Sequence, residues 1–337
     1  MLTKGDAMGK LDKQQLLEIK ELILKEIKMF DPKLKKLSLQ ELEQYYFNKR
    51  KEEYENGISI DYLEARKRLQ PILLKFVKLD RIFSMEFLKI IKDERTPTDR
   101  PIIYACTHIG GNDIQRFFEA IKNHTYLFLG DPKELYRDIS GLLLNLNGVV
   151  SFETENKPDR KIARSKSIEL LKQNGRLILC PEGAWNITHN LPCMKLYSGT
   201  IKMAIETNAI IVPIAIEQYE KKFYVNIGKN IDVNNTPNIG IDILNEYLRD
   251  TLATLKWEIW ESQKEINRKN ISQEYIDNFK QNIVDRCPYG FTIDDVENGI
   301  YKDPNIIEEQ EVFEPIKRIT LKSGEQMKNT KTYIKFD

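Results

Sequence analysis

Between Pro101 and Ile231 the sequence alternates short, β-rich apolar runs with helix-like stretches, and few folds accept that alternation. The runs are Ile102–Cys106, Tyr126–Leu129, Gly148–Phe152, Arg176–Cys180, Ile210–Ile216 and Phe223–Ile227. Helical patterns lie between several of them, at Ile114–Ile121, Lys133–Leu146, Arg160–Gln173 and Thr200–Thr207. Such alternation predicts an α/β fold, a mostly parallel central sheet flanked by helices. The last run follows its predecessor through Gln-Tyr-Glu-Lys-Lys, which predicts an antiparallel edge strand.

Three regions are expected: an N-terminal helical extension over 1–95, the α/β core over 96–235, and a C-terminal helical region with a polar tail over 236–337. In the first, Ser38 with Glu41 three residues later marks a helix start. Over Tyr62–Lys92 the apolar residues Leu69, Leu73, Phe76, Phe83, Phe87 and Ile91 form an amphipathic helical stripe among many Lys and Arg. It reads as a helix packed on the core, or as an interfacial helix meeting anionic lipid. In the last region, helices are expected through Trp257 and Trp260 and near Ser272–Arg286. A weakly periodic tail with one short hairpin follows Cys287-Pro288.

Charge narrows the partners. With 52 basic and 51 acidic residues the net charge is +1, so nothing draws the chain to nucleic acid in bulk. The four cysteines are scattered without a C-x-x-C pair, which argues against a disulfide framework and for a reduced compartment. Cys106 reads as a small core residue, and His124 and His189 as surface or loop residues without metal-ligand spacing. No signal-peptide pattern is present, and no apolar run nears the roughly 20 residues that span a bilayer. The expected location is the cytoplasm, either free or peripheral at the inner face of the membrane, with contact through 62–92.

Two local patterns carry chemistry. In Thr107-His108-Ile109-Gly110-Gly111-Asn112-Asp113, a strand runs into His108, two glycines permit a tight turn, and Asn112 or Asp113 can cap a following helix. Residues five apart converge across such a junction, so Asp113 can accept the imidazole Nδ1–H and leave Nε2 as a base. A buried histidine with a capping Asp fits the same pattern. In Leu177–Asn186 a second strand ends at Pro181-Glu182-Gly183. Glu182 reaches the same sheet edge if the two strands are parallel neighbours; otherwise it caps a turn.

His108-x4-Asp113, then Pro181-Glu182-Gly183, then Val212-Pro213-Ile214, in this order, resemble the lysophospholipid (1-acylglycerol-3-phosphate) acyltransferase family over about 102–231. Lys195 with Gly199 resembles its lysine–glycine element. Gly148–Thr154 resembles its second motif, with Thr154 where the family has an arginine. Ala184-Trp185 stands where the family has Thr-Arg or Thr-Ser. Lys157, Arg160, Lys161 and Arg164 lie nearby; they read as a solvated basic helix face for the most part, or as substitute cations. The resemblance implies direct acyl transfer from acyl-CoA or acyl carrier protein to a hydroxyl of a lysophospholipid-like lipid acceptor, with no cofactor and no metal. His108 would be the general base and Asp113 its orienter. Backbone N–H groups near Gly110-Gly111 or the helix start would meet the oxyanion. Gly148, Glu182, Gly183 and Lys195 would serve the substrate. The alternatives are a non-phosphate acceptor such as a sugar, which Trp185 suits by stacking, and a catalytically silent lipid-binding protein on the same fold.

Overall fold

The computed structural model describes residues 11–188, 191–235, 239–263, 272–286 and 290–300. His189, Cys287-Pro288 and the tail expected to hold a hairpin lie outside these residues. Three helices open the chain: α1 (Lys13–Glu26), α2 (Leu39–Glu55) and α3 (Leu63–Phe83). The Ser38–Glu41 capping box forms as expected, each side chain taking the other residue's backbone N–H.

The helical stripe over Tyr62–Lys92 does not continue to its end. The helix stops at Phe83, Met85 turns the chain with φ 54°, and Phe87–Asp93 is strand β1. The physical reason is a coincidence of periods. Phe87 and Ile91 are four apart, and a spacing of four shares one face of a helix and also one face of a strand. Within α3 the stripe divides: Leu69 and Leu73 are buried, while Phe76, Leu79 and Phe83 are exposed.

The core then follows as β2 (Ile102–Cys106), α4 (Asp113–Ile121), β3 (Tyr126–Gly130), α5 (Ile139–Asn147), β4 (Val149–Phe152), α6 (Lys157–Lys172), β5 (Arg176–Leu179), α7 (Gly199–Thr207), β6 (Ile210–Tyr219) and β7 (Lys222–Ile227). The stretch read as one helix over Lys133–Leu146 is divided. A 3-10 turn at Lys133–Tyr136 precedes α5, whose N-terminus is capped by Asp138. The helices α8 (Ile241–Glu261), α9 (Gln273–Asp285) and α10 (Ile293–Gly299) complete the described chain. The expected helices through Trp257 and Trp260 and near Ser272–Arg286 are α8 and α9.

The strands form one sheet in the order β1-β7-β6-β2-β5-β3-β4. The five from β6 to β4 are parallel, and β7 runs antiparallel to β6. Strand β7 is not the edge, however, because β1 pairs with its outer side in parallel. The fold is thus α/β, mostly parallel, with helices at both ends of the chain.

Every residue of β2 is buried, as expected of a strand covered on both faces. Ile103 and Ala105 join one apolar cluster with residues of α6, α7 and α8. Ile102, Tyr104 and Cys106 join the other with Phe117, Phe118 and Ile121 of α4. From β2 the chain builds strands on one side, then crosses to β6 on the other. That reversal opens a crevice at the carboxyl ends of the strands, where such folds take ligands.

The N-terminal helices are tied to the core by buried polar contacts. Arg66 bonds the carbonyls of Asn145 and Leu146 at the end of α5, and pairs with Glu26. Gln70 donates to the Lys122 carbonyl at the end of α4, 2.7 Å away. Helix ends leave carbonyls unpaired, so these side chains complete helices from another part of the chain.

Candidate active site

His108 lies just past the carboxyl end of β2. Thr107 fastens that end to β6: its N–H donates to the Ile214 carbonyl, and its hydroxyl accepts the Ile216 N–H at 3.1 Å. Gly110 and Gly111 then turn the chain with φ 77° and 62°. The turn delivers Asp113 to the first position of α4.

The imidazole Nδ1 of His108 is 2.7 Å from Asp113 Oδ2. The same oxygen accepts the backbone N–H of Ile109 at 2.9 Å and of Gly110 at 3.1 Å. Asp113 is fully buried, so these three donors are what compensates its lost hydration. With a carboxylate accepting, Nδ1 carries the proton and Nε2 presents its lone pair. Nε2 has no hydrogen bond among the described residues, and the ring remains partly accessible.

Strands β2 and β5 are parallel neighbours, so Glu182 arrives at the same edge. The carboxylate is fully buried. One oxygen accepts the His108 backbone N–H at 3.2 Å, the other the Met194 N–H at 2.8 Å. Burial pushes its pKa up, against the lowering effect of the Met194 N–H, Lys256 and His108. Glu182 thus positions the His108 backbone and the Met194 segment at once. Asn186 completes the tie by donating its N–H to the His108 carbonyl at 2.7 Å.

Gly183 has φ 75°, and a Cβ there would lie 2.4 Å from the Tyr197 ring. Lys195 is exposed, one residue past Met194. Gly148 is not brought to this group. It sits at the amino end of β4, the opposite edge of the sheet, closing α5 through a 2.8 Å bond to the Leu144 carbonyl. With φ 113° and the Tyr126 ring 2.7 Å from where a Cβ would be, its glycine is explained by packing.

At the carboxyl end of β4, Thr154 does not stand open. Its N–H and hydroxyl both donate to Asp131. Beside it, Arg50 of α2 makes a two-point contact with buried Asp159 at 2.9 and 2.6 Å, and also meets Glu153 and Tyr136. Of the nearby cations, Arg160 bonds the Thr154 carbonyl and Arg164 pairs with Glu206. Lys161 lies over Tyr54.

Sequence reading missed Glu86 and Arg286, because each arrives from a distant part of the chain, whereas Trp185 was named for stacking and is found beside the histidine. Glu86, in the turn between α3 and β1, accepts from Asn112 Nδ2 at 2.8 Å and so braces the His108–Asp113 turn. Trp185 stands edge-on to His108 with ring centres 6.1 Å apart, and packs on Phe291. Arg286, closing α9, lays its side chain against Gly111. Cys106 is a buried core residue as read, and burial raises its thiol pKa well above the usual range. His124, read as a surface or loop residue, lies in the loop between α4 and β3 but is buried there, with Nε2 2.7 Å from the Asn147 carbonyl. No cluster of metal-ligating side chains occurs among the described residues.

The arrangement is a histidine with a fixed tautomer and an unbonded Nε2, on a braced turn beside a buried carboxylate. Residues 88–217, which contain it, match the protein-family model for Acyltransferase. No curated protein matches the chain in sequence. Among solved structures, the chain is similar to the crystal structure of the 1-acyl-sn-glycerophosphate (LPA) acyltransferase PlsC from Thermotoga maritima. The identity is 17%, over 75% of this chain and 98% of that one, with a TM-score of 0.47, a likeness that carries no weight on function. The family match and the ordered motifs fall on the same segment: residues 88–217 match an acyltransferase domain.

Proposed function

We propose that the protein moves a fatty acyl group from an acyl thioester, acyl-CoA or acyl carrier protein, to a hydroxyl of a lysophospholipid-like acceptor. The observation that carries this reading is the 2.7 Å contact of His108 Nδ1 with Asp113, with Nε2 left unbonded. The acceptor hydroxyl gives its proton to Nε2 as its oxygen attacks the thioester carbonyl. Asp113 holds the resulting imidazolium. Collapse of the tetrahedral intermediate breaks the C–S bond, and the departing thiolate takes the proton back from His108. No acyl-enzyme is required. The Gly110 N–H is committed to Asp113, so the oxyanion is assigned to free N–H groups at the start of α4.

A second reading, a non-phosphate acceptor such as a sugar, is favoured by Trp185 beside His108. Thiol release from palmitoyl-CoA, measured with lysophospholipids and with glycosides, tests both. Release that depends on a lysophospholipid supports the first reading, and release only with glycosides replaces it. Acyl-chain binding without any release would point to a lipid-binding protein.

No described helix is long and apolar enough to cross a membrane. Contact at a membrane surface is assigned to part of 62–92. There Ile72, Phe76, Leu79, Phe83, Met85 and Phe87 are exposed, with Lys75, Lys78 and Lys89 exposed among them. That ridge ends beside Glu86, which braces the catalytic turn. Apolar area with flanking cations fits an anionic lipid surface. Cosedimentation with anionic vesicles should fall sharply in Phe76→Glu/Phe83→Glu; unchanged binding would reject this surface.

A further inference from the structure

One charged side chain at the open edge of the sheet, Arg286, has no role in the chemistry above. Arg286 follows α9 and lies outside the segment that matches the family. Its side chain runs over the catalytic turn: a Cβ on Gly111 would be 3.3 Å from Arg286 Cβ and 3.4 Å from its Cδ. Neighbouring Gly110 meets Ile283 of the same helix and Trp185. The end of α9 is therefore seated on the two glycines that follow His108.

The charge of Arg286 is left without a carboxylate. Its guanidinium donates to the neutral Gln218 amide oxygen at 2.7 Å. Among the described residues, no carboxylate lies within ion-pairing distance of it. The nearest acids are engaged elsewhere. Glu217 is held by Lys256 at 3.3 Å and by the Trp260 indole at 2.8 Å. Glu86 is held by Arg116 at 3.2 Å and by Asn112. The group is reached by solvent but crowded on its protein side. That partial loss of hydration lowers its pKa more than Glu217 and Glu86 raise it. A cation at a helix end also complements the helix dipole, but that role needs neither contact with Gly111 nor an open guanidinium.

Two other cations near the sheet edge, Arg50 and Lys133, do not offer the same. At the β4 end, Arg50 is closed by Asp159 and Glu153. Lys133 lies 3.8 Å from the Phe291 ring centre and 3.7 Å from Asp295. Arg286 is thus an accessible guanidinium resting on the turn that carries the base. The exposed Phe83, Met85 and Phe87 flank Glu86 on the same side.

Resting on the acyl-transfer reading, we propose that Arg286 binds a phosphate group of the substrate beside His108. A guanidinium presents paired donors that match phosphate oxygens, which an ammonium does not. The apolar rim would then take the hydrocarbon of the same amphiphile. Phosphate is carried by a lysophospholipid acceptor and also by a CoA donor, and the two sources are separable.

The test compares wild type, Arg286→Gln and Arg286→Lys in acyl transfer. Palmitoyl-CoA or palmitoyl-N-acetylcysteamine serves as donor, and 1-acyl-glycerol 3-phosphate or monoacylglycerol as acceptor. If the acceptor supplies the phosphate, Arg286→Gln should raise KM for the phosphate-bearing acceptor about tenfold to a hundredfold and leave monoacylglycerol transfer unchanged. If the donor supplies it, the loss should follow CoA and spare N-acetylcysteamine. Arg286→Lys should recover only part, because one point charge replaces the fork. Equal loss in all four pairings, or none, overturns the assignment.

Calorimetric titration of CoA and of sn-glycerol 3-phosphate into the same three proteins reads the site without catalysis. At least one probe should bind wild type and weaken about tenfold or more in Arg286→Gln. Wild type that binds neither, or binding unaffected by the change, overturns the site. Phosphate binding through Arg286 in a protein that transfers no acyl group would keep this site and sink the acyl-transfer reading instead.

Discussion

The carboxyl edge of the sheet ends in two polar clusters, and they differ in what they leave open. At β2 and β5, Asp113 and Glu182 are both fully buried carboxylates held largely by backbone N–H groups, Asp113 through Oδ2 alone while its Oδ1 has no partner among the described residues. Their bonding fixes the turn and the histidine tautomer, yet His108 Nε2 stays unbonded among the described residues. At β4, Asp159 is equally buried, but besides the Glu153 N–H its partner is a side-chain cation. Arg50, Glu153, Tyr136, Thr154 and Asp131 close on one another there. One cluster spends its hydrogen bonds on orienting a group that is left available. The other neutralises charge and anchors α2 to the core. On the proposed acyl-transfer reading, similar burial serves a reacting group at one end and a fastener at the other.

The sharpest way to break this contrast is to disable the histidine and the carboxylate that orients it. Replacing His108 by Ala should lower kcat by about 10²- to 10⁴-fold, the usual range for a lost general base, with little change in Tm. Asp113→Asn should lose activity of the same order. It should also cost about 1–3 kcal/mol of stability, since the amide oxygen must keep the three donors of Oδ2, which leaves the amide nitrogen buried without an acceptor where Oδ1 now has no partner. Steady-state kinetics and urea unfolding check both. Activity retained in Asp113→Asn would remove the orienting role.

At the closed end the expected effect is on stability alone. Arg50→Ala leaves Asp159 buried without its cation, a change that costs about 3–5 kcal/mol in comparable buried pairs. The fraction that remains folded should turn over at the wild-type rate. A slowed rate in folded Arg50→Ala would mean that the β4 end takes part in the chemistry.

A second histidine sharpens the point that accessibility makes the site. His124 is buried, and burial lowers its pKa to about 4 from an ordinary 6.5. Its folded pKa is depressed, so the unfolded chain binds the extra proton first as pH falls. The stabilising contribution is whole above pH 6.5 and is lost progressively toward pH 4, on the order of 3 kcal/mol in all. His124→Gln should remove that slope from a plot of unfolding free energy against pH, with transfer unaffected at pH 7. An unaltered slope would place the acid sensitivity elsewhere.

What could be read from sequence was what is local. The five-residue spacing of His108 and Asp113 contains its own turn, and Pro181-Glu182-Gly183 ends its own strand, so both were legible. Their meeting also followed once the strands were taken as parallel neighbours, which β2 and β5 are. Strand β1 was hidden because its apolar spacing of four satisfies two periods at once. Arg50, Glu86, Trp185 with Phe291, and Arg286 acquire their roles only when distant segments meet. Gly148 shows the converse: a local motif matched, while the fold sets it at the far edge against Tyr126.

The smallest expected effects come from a pair of glycines, one in each cluster. Gly110 has φ 77°, and a Cβ would lie 2.9 Å from Trp185 Cδ2. Gly130, at the end of β3, has no left-handed strain, and its Cβ would meet Thr154 Cγ2 at 2.6 Å. Gly110→Ala should cost about 1–2 kcal/mol from the backbone alone. It must also displace the indole beside His108, lowering kcat by several-fold. Gly130→Ala should cost a similar amount by crowding Thr154, and leave kcat as it was. Thermal unfolding and kcat measured on both variants separate packing from function. If Gly130→Ala slows transfer as much as Gly110→Ala, the two clusters act as one, and the division drawn between them fails.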